Sequence, residues 1–403
     1  MNCAKREKHI KWMDIGVFLM LLAVYTVVTF ILFYRQTQGN EQYYHSDMES
    51  YILEMQGLNT KYSFPYPVLF KLGALMHLLI GSPGLCIALA TTILNCLGVI
   101  FLKYYMNREF GGELSFRNAM IVSAVVFSVF FVSMLYMPNE QYLPGLWYKY
   151  RGIFSPNPYH NATYLATRPF AIVCFFMFAR ILTKYERETD WKENIVFGIF
   201  LFLTTITKPS FTFVLVPTAG IVMLLRLVRD RFRSFMGAIK LGVCFIPTFC
   251  ALLYQYLGVF TPAEGEEGGI GFGLARVWGL YSGNIFFSVA LAAGFPILVL
   301  MFHGRDLKNN TMYRLSWQLF AMSFLQALCL YEKGFRIGDF NFSWGYMHGL
   351  FFIFVSSVIM LARDTFFRKK RWWVLGIQWF AYAAHLACGI WYFRGIFRGN
   401  LYY

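Results

Sequence analysis

Charged residues are scarce in this sequence. Asp, Glu, Lys and Arg make up 14% of its 403 residues, whereas a soluble domain of ordinary composition has about a quarter. The hydrophobic residues, 58% of the total, fall into long runs of about 20, the length of helix that crosses a bilayer core of ~30 Å. Because backbone groups in lipid must be paired within their own segment, these runs predict helices. They do not alternate as the strands of a membrane β-barrel do.

Several chemical signatures are also missing. The sequence has no Walker A motif, nucleophile elbow or zincin motif, and its eight cysteines form no CxxC pair. Seven of those cysteines lie inside apolar runs, where they are expected to be small packing residues. The net charge of +15 comes from Lys and Arg in short loops beside apolar runs. That placement is typical of membrane topology signals, and no nucleic-acid partner is predicted.

The apolar runs predict an all-α polytopic membrane protein. It forms one integral membrane domain over residues 1–403, with about eleven transmembrane helices. The N-terminal run is too long for a signal peptide and is expected to be retained as the first span. A further segment, 66–81, is short and contains Lys71 and His77, so it is expected to lie in the interface rather than to cross. The predicted spans are 13–34, 84–105, 118–137, 166–184, 193–207, 211–228, 236–258, 280–302, 314–331, 346–363 and 372–394.

The distribution of positive charge sets the predicted orientation. With eleven spans and the N-terminus inside, the inner segments hold 24 of the 36 Lys and Arg residues. If 66–81 crossed as well, the two densest basic loops would face outward, against the positive-inside rule. In the eleven-span topology all the long polar loops lie on the outer face, where we expect any chemistry to take place. These loops are 35–65, 138–165, 261–279 and 332–345.

The first outer loop carries Tyr43-Tyr44-His45-Ser46-Asp47-Met48-Glu49. Two carboxylates at i and i+2, Asp47 and Glu49, could supply a general base and a supporting group, or could hold a metal ion. The adjacent His45 could bind substrate or tune the carboxylates. The alternative is an ordinary solvated polar loop.

The second outer loop contains Pro156-Asn157-Pro158-Tyr159-His160-Asn161-Ala162-Thr163. Its prolines restrict the backbone beside His160 and Asn161, which suits the wall of a binding site. The alternative is a histidine in an interfacial turn. Asn161-Ala-Thr163 also fits a glycosylation sequon, a pattern that is common by chance.

Cations are expected at several outer boundaries. Lys208 lies in a very short outer turn, and Arg168, Arg276 and Arg336 occupy similar positions. A set of cations around one cavity would suit a lipid-linked phosphate, although ordinary snorkelling to the interface explains any single one. The fourth outer loop adds Asp339 among glycines and aromatic residues, a mixture that can bind sugar rings or simply pack between helices.

Asp47-Met48-Glu49 after the first span, followed by Tyr62-Ser-Phe-Pro-Tyr-Pro67 before an interfacial helix, resembles the GT-C class of membrane glycosyltransferases. The resemblance covers the architecture of most of the chain, but its one motif is short. A departure from the family's pattern is that residues 1–403 are not expected to include the large C-terminal soluble domain that many members have. The resemblance implies a polyprenyl-phosphate or dolichyl-phosphate sugar donor and a glycan, lipid or protein acceptor. It also implies a bacterial plasma membrane, or the endoplasmic reticulum in a eukaryote.

In such an enzyme Asp47 would take the proton of the acceptor hydroxyl as that hydroxyl attacks the anomeric carbon with inversion. Arg168, Lys208 and Arg336 would neutralise the leaving phosphate. No cofactor is required, and a divalent metal at Asp47 and Glu49 is compatible with the scheme. Two alternatives stay open at this point. One is a polysaccharide polymerase or ligase that uses lipid-diphosphate substrates, and the other is a transporter or lipid flippase.

Overall fold

The computed structural model describes residues 2–40, 42–59, 64–111, 115–136, 145–149, 153–188, 190–259, 268–367 and 370–400. The predicted outer loops 35–65, 138–165 and 261–279 therefore lie partly outside the described residues. In the described part nearly all regular structure is helical. A two-stranded antiparallel sheet pairs β1 (Ile270–Phe272) with β2 (Leu330–Glu332), with Gly271 opposite Tyr331. A 3₁₀ helix, Gly334–Asp339, follows β2.

Fifteen α-helices occur in the described residues, and helices lie in all eleven segments that the sequence predicts as spans. In chain order they are α1 (Asn2–Gln36), α2 (Met48–Gln56), α3 (Val68–His77), α4 (Pro83–Phe110), α5 (Phe116–Val129), α6 (Ala162–Ile181), α7 (Trp191–Thr207), α8 (Thr212–Arg229), α9 (Phe235–Val243), α10 (Ile246–Val259), α11 (Ile285–His303), α12 (Asp306–Asn309), α13 (Thr311–Cys329), α14 (Ser343–Phe367) and α15 (Trp372–Phe397).

Seven of the described helices are long and apolar enough to cross a membrane, and an eighth span is formed if α9 and α10, bent by 50° at a break, count as one. This is the architecture of a polytopic membrane protein, with fewer clear spans than the predicted eleven. Among the others, α5 has 14 residues and α7 has 17. The predicted interfacial segment 66–81 contains α3, whose 10 residues are about 15 Å long, half of a bilayer core.

Polar residues at the helix starts define where the helices begin. Asn161, Asp190, Asn284 and Asn310 each accept a hydrogen bond from the backbone N–H three residues further on, at the starts of α6, α7, α11 and α13. Such caps satisfy a backbone donor that the helix itself leaves unpaired. The cap at Asn161 matters most here, because it fixes the start of α6 beside the first outer loop.

Helix α5 ends inside the protein, and buried side chains satisfy the backbone at that end. The Asn157 side-chain amide donates to the carbonyl oxygens of Val129 and Val132, both at 2.9 Å. The Tyr159 hydroxyl donates to the carbonyl of Phe130. The segment that contains Asn157 and Tyr159 leads directly into α6, so the irregular chain before α6 is held in place by the end of α5.

The buried apolar residues form two clusters. One includes Phe110, Tyr185 and Ile359, and the other includes Met48, Tyr159 and Trp278. The first cluster includes residues toward the ends of α4, α6 and α14, whereas the second includes residues of α2, α3 and the segment 153–161 that leads into α6. The second cluster supports the end of the bundle where the predicted site residues lie.

Candidate functional site

The predicted site residues line one cavity at an end of the helix bundle. The cavity has a volume of about 420 Å³, and its walls come from the α1–α2 segment, the start of α6, the α7–α8 turn and the 3₁₀ helix with the start of α14. All predicted site residues except Arg168 line it, and the boundary cation Arg276 does not. The predicted residues that line it are His45, Asp47, Glu49, His160, Asn161, Lys208, Arg336 and Asp339.

Asp47 is the N-cap residue of α2, and one of its carboxylate oxygens is fixed by two neighbours. Asn161 donates from Nδ2 to Asp47 Oδ2 at 2.5 Å, and the Tyr51 hydroxyl donates to the same oxygen at 3.2 Å. Tyr51 lies one turn further along α2, so the helix itself places its ring beside the carboxylate. Burial, and then the charge of Asp47, raises the pKa of Tyr51 well above its usual value. Tyr51 therefore stays protonated and donates.

Asn161 joins the carboxylate of Asp47 to the ammonium group of Lys208. Its Oδ1 accepts from Lys208 Nζ at 3.0 Å while its Nδ2 donates to Asp47. The same Oδ1 accepts from the Tyr164 backbone N–H as the cap of α6. Thr163 completes the network, because its hydroxyl donates to Asn161 Oδ1 and accepts from Lys208. The arrangement orients an acid and a cation toward one cavity without direct contact between them.

Asn161 is 2% exposed and its Nδ2 is engaged by Asp47 and Tyr51. The glycosylation sequon at this position is therefore closed to modification in the folded protein.

Lys208 is 8% exposed and has no carboxylate partner within ion-pairing distance in the described residues. Its Nζ lies 4.1 Å from the centre of the Trp344 ring, a cation–π contact. Burial lowers the pKa of Lys208 to about 7, and the attraction of Asp47 opposes that shift. An anion bound beside Lys208 would favour the ammonium form. The group is thus suited to accept a phosphate.

Arg336 contributes the second cation of the cavity. Its Nε lies 3.2 Å from Asp339 Oδ2 and 3.4 Å from Glu332 Oε2. Burial raises the pKa of Glu332, and the charge of Arg336 lowers it in part. Asn341 donates to the same oxygen of Glu332. Asp339 therefore positions Arg336.

A smaller crevice of about 120 Å³ adjoins the cavity. The two spaces share several residues, among them Lys208, Arg336 and Trp344. On its far side the crevice is lined by more apolar residues, including Phe213 and Ile270. Both cations therefore stand between a polar cavity and an apolar crevice.

The remaining predicted residues differ in their surroundings. His160 is 4% exposed, and its ring lies 5.8 Å from that of Trp344. Burial, followed by the charges of Lys208 and His45, lowers the pKa of His160 to about 3, so the ring is neutral at physiological pH. Glu49 is exposed on the first turn of α2 and makes no hydrogen bond or ion pair with the described residues. Glu49 therefore remains available to a substrate.

Arg168 does not line the cavity and is fully buried. Its guanidinium is packed among the rings of Phe130, Tyr164 and Phe351, and Nη1 donates to Asn157 Oδ1 at 2.7 Å. Because Asn157 in turn caps the carbonyls at the end of α5, the arginine charge faces the negative end of that helix dipole. This environment favours a structural role for Arg168 over the predicted contact with substrate.

Arg276, another predicted boundary cation, also lies outside the cavity lining. Its guanidinium is 4.4 Å from the centre of the Tyr331 ring, and Nη1 donates to the Tyr331 hydroxyl.

Several residues of the site were not predicted from the sequence. Among them are Tyr51, Tyr66 and Trp344, which line the cavity, and Thr163, which belongs to its hydrogen-bond network. Tyr51 had a usable signal, because it follows Asp47 at the helical spacing of four. Thr163 follows Asn161 by two residues, and its role depends on the position of Lys208. Tyr66, just before α3, and Trp344, in the first turn of α14, reach the cavity only through tertiary packing.

No group of three or more His, Cys, Asp or Glu side chains suited to hold a metal ion occurs in the described part of the chain. Comparison with known proteins gives no further assignment, since no protein-family model and no curated protein matches the chain.

Proposed function

We propose that this protein is a membrane glycosyltransferase that moves a sugar from a polyprenyl-phosphate donor, or its dolichyl counterpart, to an acceptor hydroxyl. One observation carries the proposal. Asp47, a carboxylate fixed by Asn161 and Tyr51, shares a cavity with Lys208 and Arg336. A base and phosphate-binding cations are the two components that such a transfer needs.

In the proposed reaction the acceptor oxygen attacks the anomeric carbon and gives its proton to Asp47. The bond between that carbon and the phosphate oxygen breaks, and configuration inverts. The lipid phosphate leaves as an anion that Lys208 and Arg336 stabilise, so no general acid is required. Glu49 and the aromatic wall of Tyr66 and Trp344 orient the sugars. The scheme needs no metal ion and is compatible with one bound at Asp47 and Glu49.

The adjoining crevice suits the lipid side of the donor. Its apolar residues lie beyond the two cations, so a lipid phosphate bound at Lys208 and Arg336 could extend its chain past Phe213 while the sugar occupies the larger cavity. This division gives each part of the donor an environment of matching polarity.

The proposed topology has eleven spans with the N-terminus inside, which places the cavity on the outer face. Support comes from the helices in all eleven predicted segments and from α3, which is too short to cross. The excess of Lys and Arg on the other side favours this orientation. A bacterial plasma membrane is the proposed location; in a eukaryote it would be the endoplasmic reticulum.

The decisive experiment compares Asp47→Asn with Glu54→Gln. Glu54 is a matched control, because it lies on the same helix but outside the cavity lining. Purified protein in liposomes is incubated with a panel of radiolabelled polyprenyl-phosphate sugars and candidate acceptors. We expect transfer by the wild type and by Glu54→Gln, and a loss of about 10²-fold or more for Asp47→Asn.

Full activity of Asp47→Asn would remove the base assignment and favour the polymerase or ligase that uses lipid diphosphates. Absence of transfer with every donor, together with movement of the lipid between leaflets, would favour the flippase.

A further inference from the structure

A second and larger cavity lies at the opposite end of the bundle. Its volume is about 840 Å³, and its walls come from the last turns of α4, α6 and α14 and the first turns of α7 and α13. Since α6 begins at the first cavity and ends at this one, roughly 30 Å of helix separates the two. The two cavities are therefore distinct sites.

Four cations line this second cavity, and two of them have no carboxylate within ion-pairing distance in the described residues. Arg363 contacts Glu109, and the Nε of Arg180 contacts Glu193. The side chain of Arg108 makes no hydrogen bond or ion pair with the described residues, and Lys370 Nζ donates only to a backbone carbonyl.

The four carboxylates of this cavity are already engaged. Glu109 is bound by Arg363. Glu193 contacts Lys184 at 2.6 Å as well as Arg180. Asp306 and Asp364 both contact the ring of His303, at 2.8 and 3.3 Å. Glu109 and Glu193 are thus paired with cations, and Asp306 and Asp364 with the His303 ring, whereas the side chains of Arg108 and Lys370 and the terminal nitrogens of Arg180 have no carboxylate partner within ion-pairing distance in the described residues.

Two further features favour an anion of a particular kind. The first turn of α13, a helix of 19 residues, lines the cavity at Asn310 and Thr311, and the start of a helix carries a partial positive charge. Part of the wall is apolar, with the rings of Tyr105 and Phe176 stacked at 4.7 Å beside Met177. Arginine guanidinium groups beside an apolar surface suit a phosphate that belongs to a larger, partly apolar molecule.

We propose that this second cavity binds a phosphate group at Arg108 and Arg180, independently of any sugar transfer at the first cavity. The same chemistry is presented by an anionic phospholipid head group and by a soluble phosphate compound. Under the proposed topology the cavity faces the inner leaflet, where anionic lipids attract basic residues.

The test uses the full-length protein in detergent. Native mass spectrometry counts bound phosphatidylglycerol against phosphatidylcholine, and microscale thermophoresis measures the binding of inorganic pyrophosphate. The variants are Arg108→Gln, whose exposed and unpartnered side chain should not affect folding, and the double variant Arg108→Gln/Arg180→Gln. The control is Arg229→Gln/Arg233→Gln, which removes two exposed cations on the α8 side that do not line the cavity.

We expect wild-type binding to fall by about tenfold or more in the double variant, the effect of losing one charge-assisted hydrogen bond or more. The control variant should retain wild-type binding. If the protein prefers phosphatidylglycerol and does not bind pyrophosphate, the ligand is a lipid head group. If the protein binds pyrophosphate, the ligand is a soluble phosphate compound. The proposal is wrong if neither probe binds the wild type, or if the control loses as much binding as the cavity variants.

Discussion

Replacing Asn161 tests the link between the proposed base and the proposed phosphate-binding cation. The side chain makes two contacts with charged groups, to Asp47 at 2.5 Å and from Lys208 at 3.0 Å. It also caps α6 through the Tyr164 N–H. Asn161→Ser should keep a cap, since serine caps helices about as well as asparagine, but its short hydroxyl cannot span both charged groups.

The structure sets the expected magnitude. A hydrogen bond to a charged group contributes about 1.5–3 kcal/mol, so losing the contact to Asp47 corresponds to roughly 10- to 150-fold in rate at 1.4 kcal/mol per tenfold. Asn161→Ala should lose as much activity and, in addition, about 1 kcal/mol of stability with the cap. The serine and alanine variants therefore separate the catalytic effect from the structural one.

The assay is single-turnover transfer of labelled sugar by reconstituted protein, with thermal unfolding followed by tryptophan fluorescence. We expect Asn161→Ser to unfold near the wild-type temperature and to transfer slowly, while substrate affinity changes less than rate. Wild-type transfer by Asn161→Ser would refute the view that this amide positions Asp47.

Three further predictions concern buried charges. Burial lowers the pKa of Lys208 to about 7, so the folded protein binds fewer protons than the unfolded chain between about pH 7 and 10.5, and its stability should rise with pH across that range. Lys208→Met should remove this dependence of the unfolding temperature on pH. An unchanged dependence in the variant would contradict the assignment to Lys208. Arg168→Met should lower the free energy of unfolding by about 1–3 kcal/mol, because the buried Asn157 oxygen loses its hydrogen-bond donor. A weaker affinity for the lipid-phosphate sugar at unchanged stability would instead show that Arg168 contacts substrate. Asp14→Asn should lower the free energy of unfolding by about 3–5 kcal/mol, because it leaves Lys103 without its counter-ion at 3.0 Å. The double variant Asp14→Leu/Lys103→Met should recover most of this stability in denaturant titrations. No recovery would argue against the ion pair as the cause of the loss.

Local sequence features predicted the composition of the first cavity well because its charged residues lie at element boundaries. Asp47 is the N-cap residue of α2, Asn161 is the N-cap residue of α6, and Lys208 lies between α7 and α8. Polar residues at such points cannot be buried in lipid, so their types and positions carry information. The number of spans was harder to predict, because short helices such as α5 are supported by tertiary contacts that hydropathy does not report.

The surroundings of Arg168 could not be predicted from the sequence. The predicted span begins at residue 166, which puts Arg168 at the outer boundary of that span. The helix instead begins at Ala162, so Arg168 lies about 9 Å inside it. Its partner Asn157 is separated from it in sequence by the turn into α6. Only the packing of that turn against the end of α5 brings the Asn157 side chain to the Arg168 guanidinium.

The amide between Asp47 and Lys208 has a chemical rationale that a direct ion pair would lack. A carboxylate in contact with an ammonium group is a weaker base, because the positive charge stabilises its ionised form. The same contact would occupy the cation that the phosphate requires. Asn161 fixes both groups through opposite ends of one neutral side chain, so Asp47 keeps a second oxygen for the acceptor and Lys208 keeps its charge for the donor. A shorter connection between Asp47 and Lys208 would stabilise the empty protein at the expense of the transfer that we propose.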